Sequence, residues 1–154
     1  PIVNEAGSGH EDQFVPRQAQ LSSPVTAAAC GQYHTTMLTN NGSLWSMGMQ
    51  TAVLARQRHE EDPDSYRYDT LSRFVTEPDE VAWDSRCLEE GEDIIKVVAG
   101  WGKSAVITSR GYVYTYQWDE PPTRMSELDQ YFVEDIAFGW RHTIMIASPR
   151  NGVS

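Results

Sequence analysis

One short pattern occurs three times in this chain, and it constrains the fold more than any other feature. Val25 to Gly48 reads VTAAACGQYHTTMLTNNGSLWSMG, Ile95 to Tyr116 reads IKVVAGWGKSAVITSRGYVYTY, and Val133 to Gly152 reads VEDIAFGWRHTIMIASPRNG. Each copy is a β-forming run, a glycine, two residues, a polar residue, and a second β-rich run that closes on a glycine turn. Gly31 to Gly42 and Gly100 to Gly111 both span eleven residues. Gly139 to Gly152 spans thirteen, through two extra residues at Pro149-Arg150. The first glycine of each unit permits a sharp bend between strands without a Cβ clash. The polar residue three positions later is His34, Lys103 or His142. A histidine there is expected to bond a backbone carbonyl of the neighbouring strand and lock the corner. One such unit cannot cover both faces of its sheet, so units must pack side by side.

Asn41-Gly42 between two apolar runs predicts a hairpin joining His34–Thr39 to 43–47, with positive φ at both central residues. Arg110-Gly111 predicts a second, between 104–109 and 112–116. A third pair is expected at 133–138 and 143–147, ending in a turn at 149–152. Residues 1–24 read as a polar tail, and 25–154 as the repeat domain, with cores 25–48, 95–116 and 133–152. Residues 49–93 read as a long inserted loop. Within it, 56–69 is a charged, solvated excursion, and a short helix fits near 51–58.

The residues Ala29-Cys30-Gly31-Gln32-Tyr33-His34-Thr35 and Ile136-Ala137-Phe138-Gly139-Trp140-Arg141-His142-Thr143 resemble the core of the regulator-of-chromosome-condensation repeat. Pro122-Thr123-Arg124-Met125 with Leu128 resembles that family's linker into the next blade. The resemblance implies an all-β chain folded as a partial β-propeller of about three antiparallel blades. Three units are too few for a closed ring. The spacing is uneven, with Gly31 to Gly100 at 69 residues and Gly100 to Gly139 at 39, and Lys103 replaces the middle histidine. The family's exchange activity on a small GTPase therefore does not transfer residue by residue.

Composition narrows the function classes. Hydrophobic residues make up 40% and charged residues 22% of 154, a globular balance. Net charge is −10 with only two lysines, which argues against nucleic acid as a partner and favours a basic or polar one. No apolar run reaches a membrane span. The Pro1 start lacks an initiator Met and the features of a signal peptide, so the chain reads as a processed product or a piece of something longer. Cys30 and Cys87 read as two reduced thiols of an intracellular protein, cytoplasmic or nuclear.

No catalytic, cofactor or metal site is expected. Gly102-Lys103-Ser104 lacks the glycine, at position 97, that a phosphate loop requires. The four histidines show no metal spacing, and Asn41-Gly42-Ser43 sits on a tight turn where glycosylation is discounted. Trp101 and Trp140 directly follow the corner glycine, and Tyr33 follows one residue later. With Arg141 they are the candidate partner-binding residues, since aromatics and arginine dominate interface hot spots. Gly31, His34, Gly42, Gly100, Lys103, Gly111, Gly139, His142 and Gly152 are the structural repeat positions. The expected function is a non-enzymatic protein-interaction or scaffold module, part of a larger assembly that completes or docks on the open propeller. The alternative is a guanine-nucleotide exchange regulator of a small GTPase.

Overall fold

Alternation of side chains across each pleat decides how the sheets stack, and it is clearest in the middle of the chain. The computed structural model describes residues 18–50, 73–83, 88–117 and 121–150. Ten strands occur there: β1 (Val25–Cys30), β2 (His34–Thr39), β3 (Leu44–Gln50), β4 (Arg73–Glu80), β5 (Ile94–Ala99), β6 (Ser104–Thr108), β7 (Val113–Tyr116), β8 (Thr123–Arg124), β9 (Tyr131–Phe138) and β10 (Thr143–Pro149). They form antiparallel sheets in the orders β1-β2-β3-β4, β5-β6-β7-β8 and β9-β10. The architecture is all-β: two four-stranded blades followed by a two-stranded one. β1, β5 and β9 lie at the same edge of their sheets and pack against one another in succession.

The middle blade is covered on both faces, so every residue of β6 is buried. Val97, Val106, Tyr114 and Tyr116 pack with Leu38, Leu44 and Val81 of the first blade. The alternate residues Ala105, Ile107 and Val113 pack with Val133 and Ile136 of the third. Each fully buried aliphatic side chain contributes about 1.5–3 kcal/mol. Met125 and Leu128, flanking a 3-10 turn at Ser126–Leu128, fill the second junction. No described residue covers the far side of the third blade. All seven residues of β10 are exposed, including Ile144 and Ile146, the repeat equivalents of Ala105 and Ile107.

Both described hairpin turns have one geometry. Gly42 N–H donates to Thr39 O (3.0 Å) and Thr39 N–H to Ser43 O (3.0 Å). Gly111 N–H donates to Thr108 O (2.8 Å) and Thr108 N–H to Tyr112 O (3.0 Å). Gly42 and Gly111 have φ of 83° and 72°, and no described non-glycine residue has positive φ. The turn is thus a three-residue loop ending on one left-handed glycine, a bulged hairpin, rather than the two-residue form expected from Asn-Gly. The extra residue explains why Ser109-Arg110 replaces Asn40-Asn41 without penalty: only the glycine position needs positive φ.

The inserted segment differs from its expectation. Its residues 73–80 are β4, the outer strand of the first blade, paired through Trp45↔Glu80 and Gly48↔Val75. Pro78 is tolerated because β4 is the edge strand of its sheet, with no further partner among the described residues to receive the missing N–H. The linker resembling Pro122-Thr123-Arg124-Met125 likewise contains β8, the outer strand of the second blade. The expected helix near 51–58, the charged excursion 56–69 and the turn glycine Gly152 lie outside the described residues, as do residues 1–17 of the tail. Residues 18–24 are mostly exposed, and Asn40 N–H donates to Pro24 O at 2.9 Å.

Candidate protein-binding face

The three glycine corners share one backbone construction. Gly31 N–H donates to His34 O (2.7 Å), Gly100 N–H to Lys103 O (2.8 Å) and Gly139 N–H to His142 O (2.9 Å). The acceptor is a main-chain carbonyl, so the side chain three positions on can vary, and Lys103 stands in for histidine without altering the corner. The corners also touch. Gln32 N–H donates to Gly100 O (3.1 Å), and a Cβ on Gly31 would collide with that carbonyl. A Cβ on Gly100 would lie 2.5 Å from Cβ of Phe138, which precedes the third corner. These glycines are needed for close approach between neighbouring corners.

His34 reaches further than the sequence suggested. Its Nε2 lies 2.8 Å from Ser104 Oγ, so the ring ties the first blade to a hydroxyl of the second. Burial holds its pKa below the ordinary imidazole value. Thr36 Oγ1 bonds the Tyr116 hydroxyl across the same junction, and burial raises the pKa of that phenol against the opposing pull of bonds to Thr36 and Ser104. At the second junction Lys96 Nζ meets Asp135 Oδ1 at 2.5 Å. The lysine bond and the Ile136 N–H hold the Asp135 carboxyl below its usual range. Lys96 and Asp135 both stand four residues before a corner glycine.

The corner loops present aromatic and cationic side chains to solvent. Tyr33 is 39% exposed, Trp101 50% and Trp140 70%. The Tyr33 and Trp101 rings meet edge to face with centroids 6.3 Å apart, linking the first two corners into one surface. The Arg141 guanidinium lies 5.2 Å from the Trp140 ring centroid. Lys103 and His142 are exposed, as is the Cys30 thiol. Cys87 lies outside the described residues.

A second aromatic site went unnoticed in the sequence. Arg124 and Arg150 stack on Tyr112, at 3.6 and 4.2 Å from the ring centroid. Arg150 Nη2 also donates to Arg110 O at 2.6 Å, fastening the end of β10 to the middle blade. No spacing rule links residues 112, 124 and 150, so only the fold brings them together. Among the described residues no group of His, Cys, Asp or Glu is arranged to hold a metal, and no helix is long and apolar enough to cross a membrane.

Comparison with known proteins finds relatives of this geometry. Residues 25–51 match the family described as Regulator of chromosome condensation (RCC1) repeat. Those residues carry an RCC1-type repeat. It is 24% identical to the ultraviolet-B receptor UVR8 of Arabidopsis thaliana, in an alignment covering 90% of this chain and 31% of that one. Among solved structures, Prp20p of Saccharomyces cerevisiae superposes with a TM-score of 0.60 at 17% identity, over 89% of this chain and 34% of Prp20p. Human WBSCR16 superposes with a TM-score of 0.58 at 16% identity, over 85% and 32%. The chain thus spans about a third of the length of these relatives.

Proposed function

We propose that this chain is a non-enzymatic protein-interaction module, working inside the cell as a subunit or part of a larger assembly. The observation that carries this reading is the set of exposed corner aromatics, two of which, Tyr33 and Trp101, meet edge to face. Large apolar rings at such exposure lose solvation free energy that a partner would recover, and Trp, Tyr and Arg are the residue types that anchor interfaces. The open side of β10 is a further surface for a partner that completes the array. Nucleic acid and membrane are not its targets on this reading, given a net charge of −10.

Partner capture with wild type, Trp140→Ala and Glu61→Ala tests the reading. Trp140→Ala is expected to weaken binding more than Glu61→Ala, which alters the acidic excursion; equal effects remove the face assignment. A second reading is regulation of guanine-nucleotide exchange on a small GTPase. It rests on likeness of fold to Prp20p, a protein whose structural description reports binding to Gsp1p and histones. A nucleotide-release assay against a panel of small GTPases separates the two: accelerated release supports the second reading alone.

A further inference from the structure

Four polar side chains meet between the first two blades, and their hydrogens can be counted. His34 Nε2 lies 2.8 Å from Ser104 Oγ. Ser104 stands directly opposite Tyr116 in the register of β6 with β7. Burial raises the pKa of the Tyr116 phenol, and hydrogen bonds with Thr36 and Ser104 pull against that rise. Thr36 Oγ1 bonds the Tyr116 hydroxyl and donates to the Trp45 main-chain carbonyl at 3.4 Å. Thr36, Ser104 and Tyr116 are 0%, 3% and 3% exposed, so each must find its partners within the protein.

A carbonyl accepts only, and each hydroxyl has one hydrogen to give. The Thr36 hydrogen goes to Trp45 O, so the bond between Thr36 and Tyr116 uses the phenol's hydrogen. Tyr116 Oη is left to accept, and Ser104 supplies its hydrogen there. Ser104 therefore meets His34 as an acceptor, and Nε2 must carry the ring's hydrogen. Counted from the corner glycine, the second junction puts Lys103 in the place of His34, Thr143 in that of Ser104 and Ala105 in that of Thr36. Ala105 has no hydroxyl and packs in an apolar cluster with Val133 and Ile136, so the chain of hydroxyls belongs to the first junction.

We infer that His34, Ser104, Tyr116 and Thr36 form one directed hydrogen-bond relay that fixes the His34 hydrogen on Nε2 and seats Tyr33 against Trp101. Tyr33 is the residue before His34, in a corner whose Gln32 N–H also donates to Gly100 O (3.1 Å). The His34 ring lies under that corner, where a Cβ on Gly31 would come within 2.9 Å of its Cε1. Holding the ring on Ser104 therefore holds the corner against its neighbour, with the Tyr33 and Trp101 rings edge to face. Linked hydrogen bonds polarise one another in a low-dielectric interior, so the four groups act as a unit. Ser104 and Tyr116, both buried, become positioning residues for two exposed rings. The importance of those rings rests on reading the corner aromatics as a binding face, but their seating is measured without a partner, so the two can fail separately.

Long-range proton–nitrogen correlation spectra of the full chain with labelled histidine test this at pH 8, above the ordinary imidazole value of about 6.5. The His34 signals are assigned by their loss in His34→Gln. In the wild type the hydrogen is expected on Nε2. Tyr116→Phe removes the acceptor of the Ser104 hydrogen, which then turns to Nε2, and the His34 hydrogen is expected to move to Nδ1. A merely structural role for Tyr116 would lower stability without moving that hydrogen. Cross-relaxation between the Tyr33 and Trp101 ring protons is expected to be lost in Ser104→Ala and kept in Ser104→Thr, which retains the hydroxyl. Thermal melts of the variants confirm that the fold is intact. A wild-type hydrogen on Nδ1 means that the hydroxyls point the other way and overturns the proposal. So does a hydrogen that stays on Nε2 in Tyr116→Phe, or ring cross-relaxation that survives in Ser104→Ala. If these results hold while Trp101→Ala leaves partner capture unchanged, the relay stands and the binding-face reading falls.

Discussion

Replacing Ile107 and, separately, Ile146 by alanine asks whether burial here comes from the strand or from its neighbour. The two residues occupy the same place in the repeat, on the same face of equivalent strands. Ile107 is 0% exposed because the third blade covers it, whereas Ile146 is 59% exposed because no described residue packs over it. Ile→Ala removes three carbons, worth about 0.8 kcal/mol each when fully buried. At Ile107 the cavity left in a packed junction adds to this transfer term, for a loss of about 3–4 kcal/mol, inside the range for such deletions. At Ile146 about two fifths of the transfer term applies and no cavity forms, so the loss is about 1 kcal/mol. Urea unfolding followed by far-ultraviolet circular dichroism, with the m-value held common, measures both. A gap of at least about 2 kcal/mol is expected. Equal losses would refute the reasoning, because they would mean that the outer face of β10 is covered in solution.

Three further outcomes follow from the junctions. Tyr116→Phe removes the buried bond to Thr36 and is expected to lower stability by about 1–2 kcal/mol; adding Thr36→Val to it is expected to change stability less than Thr36→Val does alone, which a double-mutant cycle reads directly. Burial depresses the His34 pKa in the folded state, so the unfolded chain binds its proton first. The stability His34 contributes is therefore complete above the ordinary imidazole value of about 6.5 and declines as pH falls below it. Melting temperatures from pH 8 to about pH 5 are expected to fall less steeply in His34→Gln, and an unchanged slope would remove His34 from the account. Gly100→Ala is expected to destabilise by displacing the Phe138 side chain, whereas Gly102→Ala meets nothing within 4 Å and is expected to stay within about 0.5 kcal/mol of wild type. Thermal melts of the pair settle this.

Legibility along the chain tracks how much of each element's stability is local. β2, β5 and β6 are β-rich runs next to a glycine corner, and their positions follow from residue order alone. β4 and β8 carry Pro78, three acids, or only two residues, and nothing in their own pattern marks a strand. They are strands because β3 and β7 offer unpaired edges. The turn geometry shows the same division. Glycine at 42 and 111 was legible, but the bulge was not, because the register that creates it is set by the whole hairpin.

The candidate site divides similarly. The equivalence of Trp101 with Trp140, and of His34 with Lys103 and His142, is a matter of counting from a glycine. That Tyr33 joins Trp101 and that Arg124 and Arg150 flank Tyr112 both depend on which residues come close in space.

By itself the amino-acid order determined that this chain is a repeat of β-hairpins turning on glycines, because strand alternation and turn chemistry act over a few residues. Tertiary structure alone decided that the middle blade is buried on both faces, that no described residue covers β10, and that the rings of Tyr33 and Trp101 meet. Those outcomes depend on contacts between segments far apart in the chain, where burial and electrostatics are properties of the neighbour as much as of the residue.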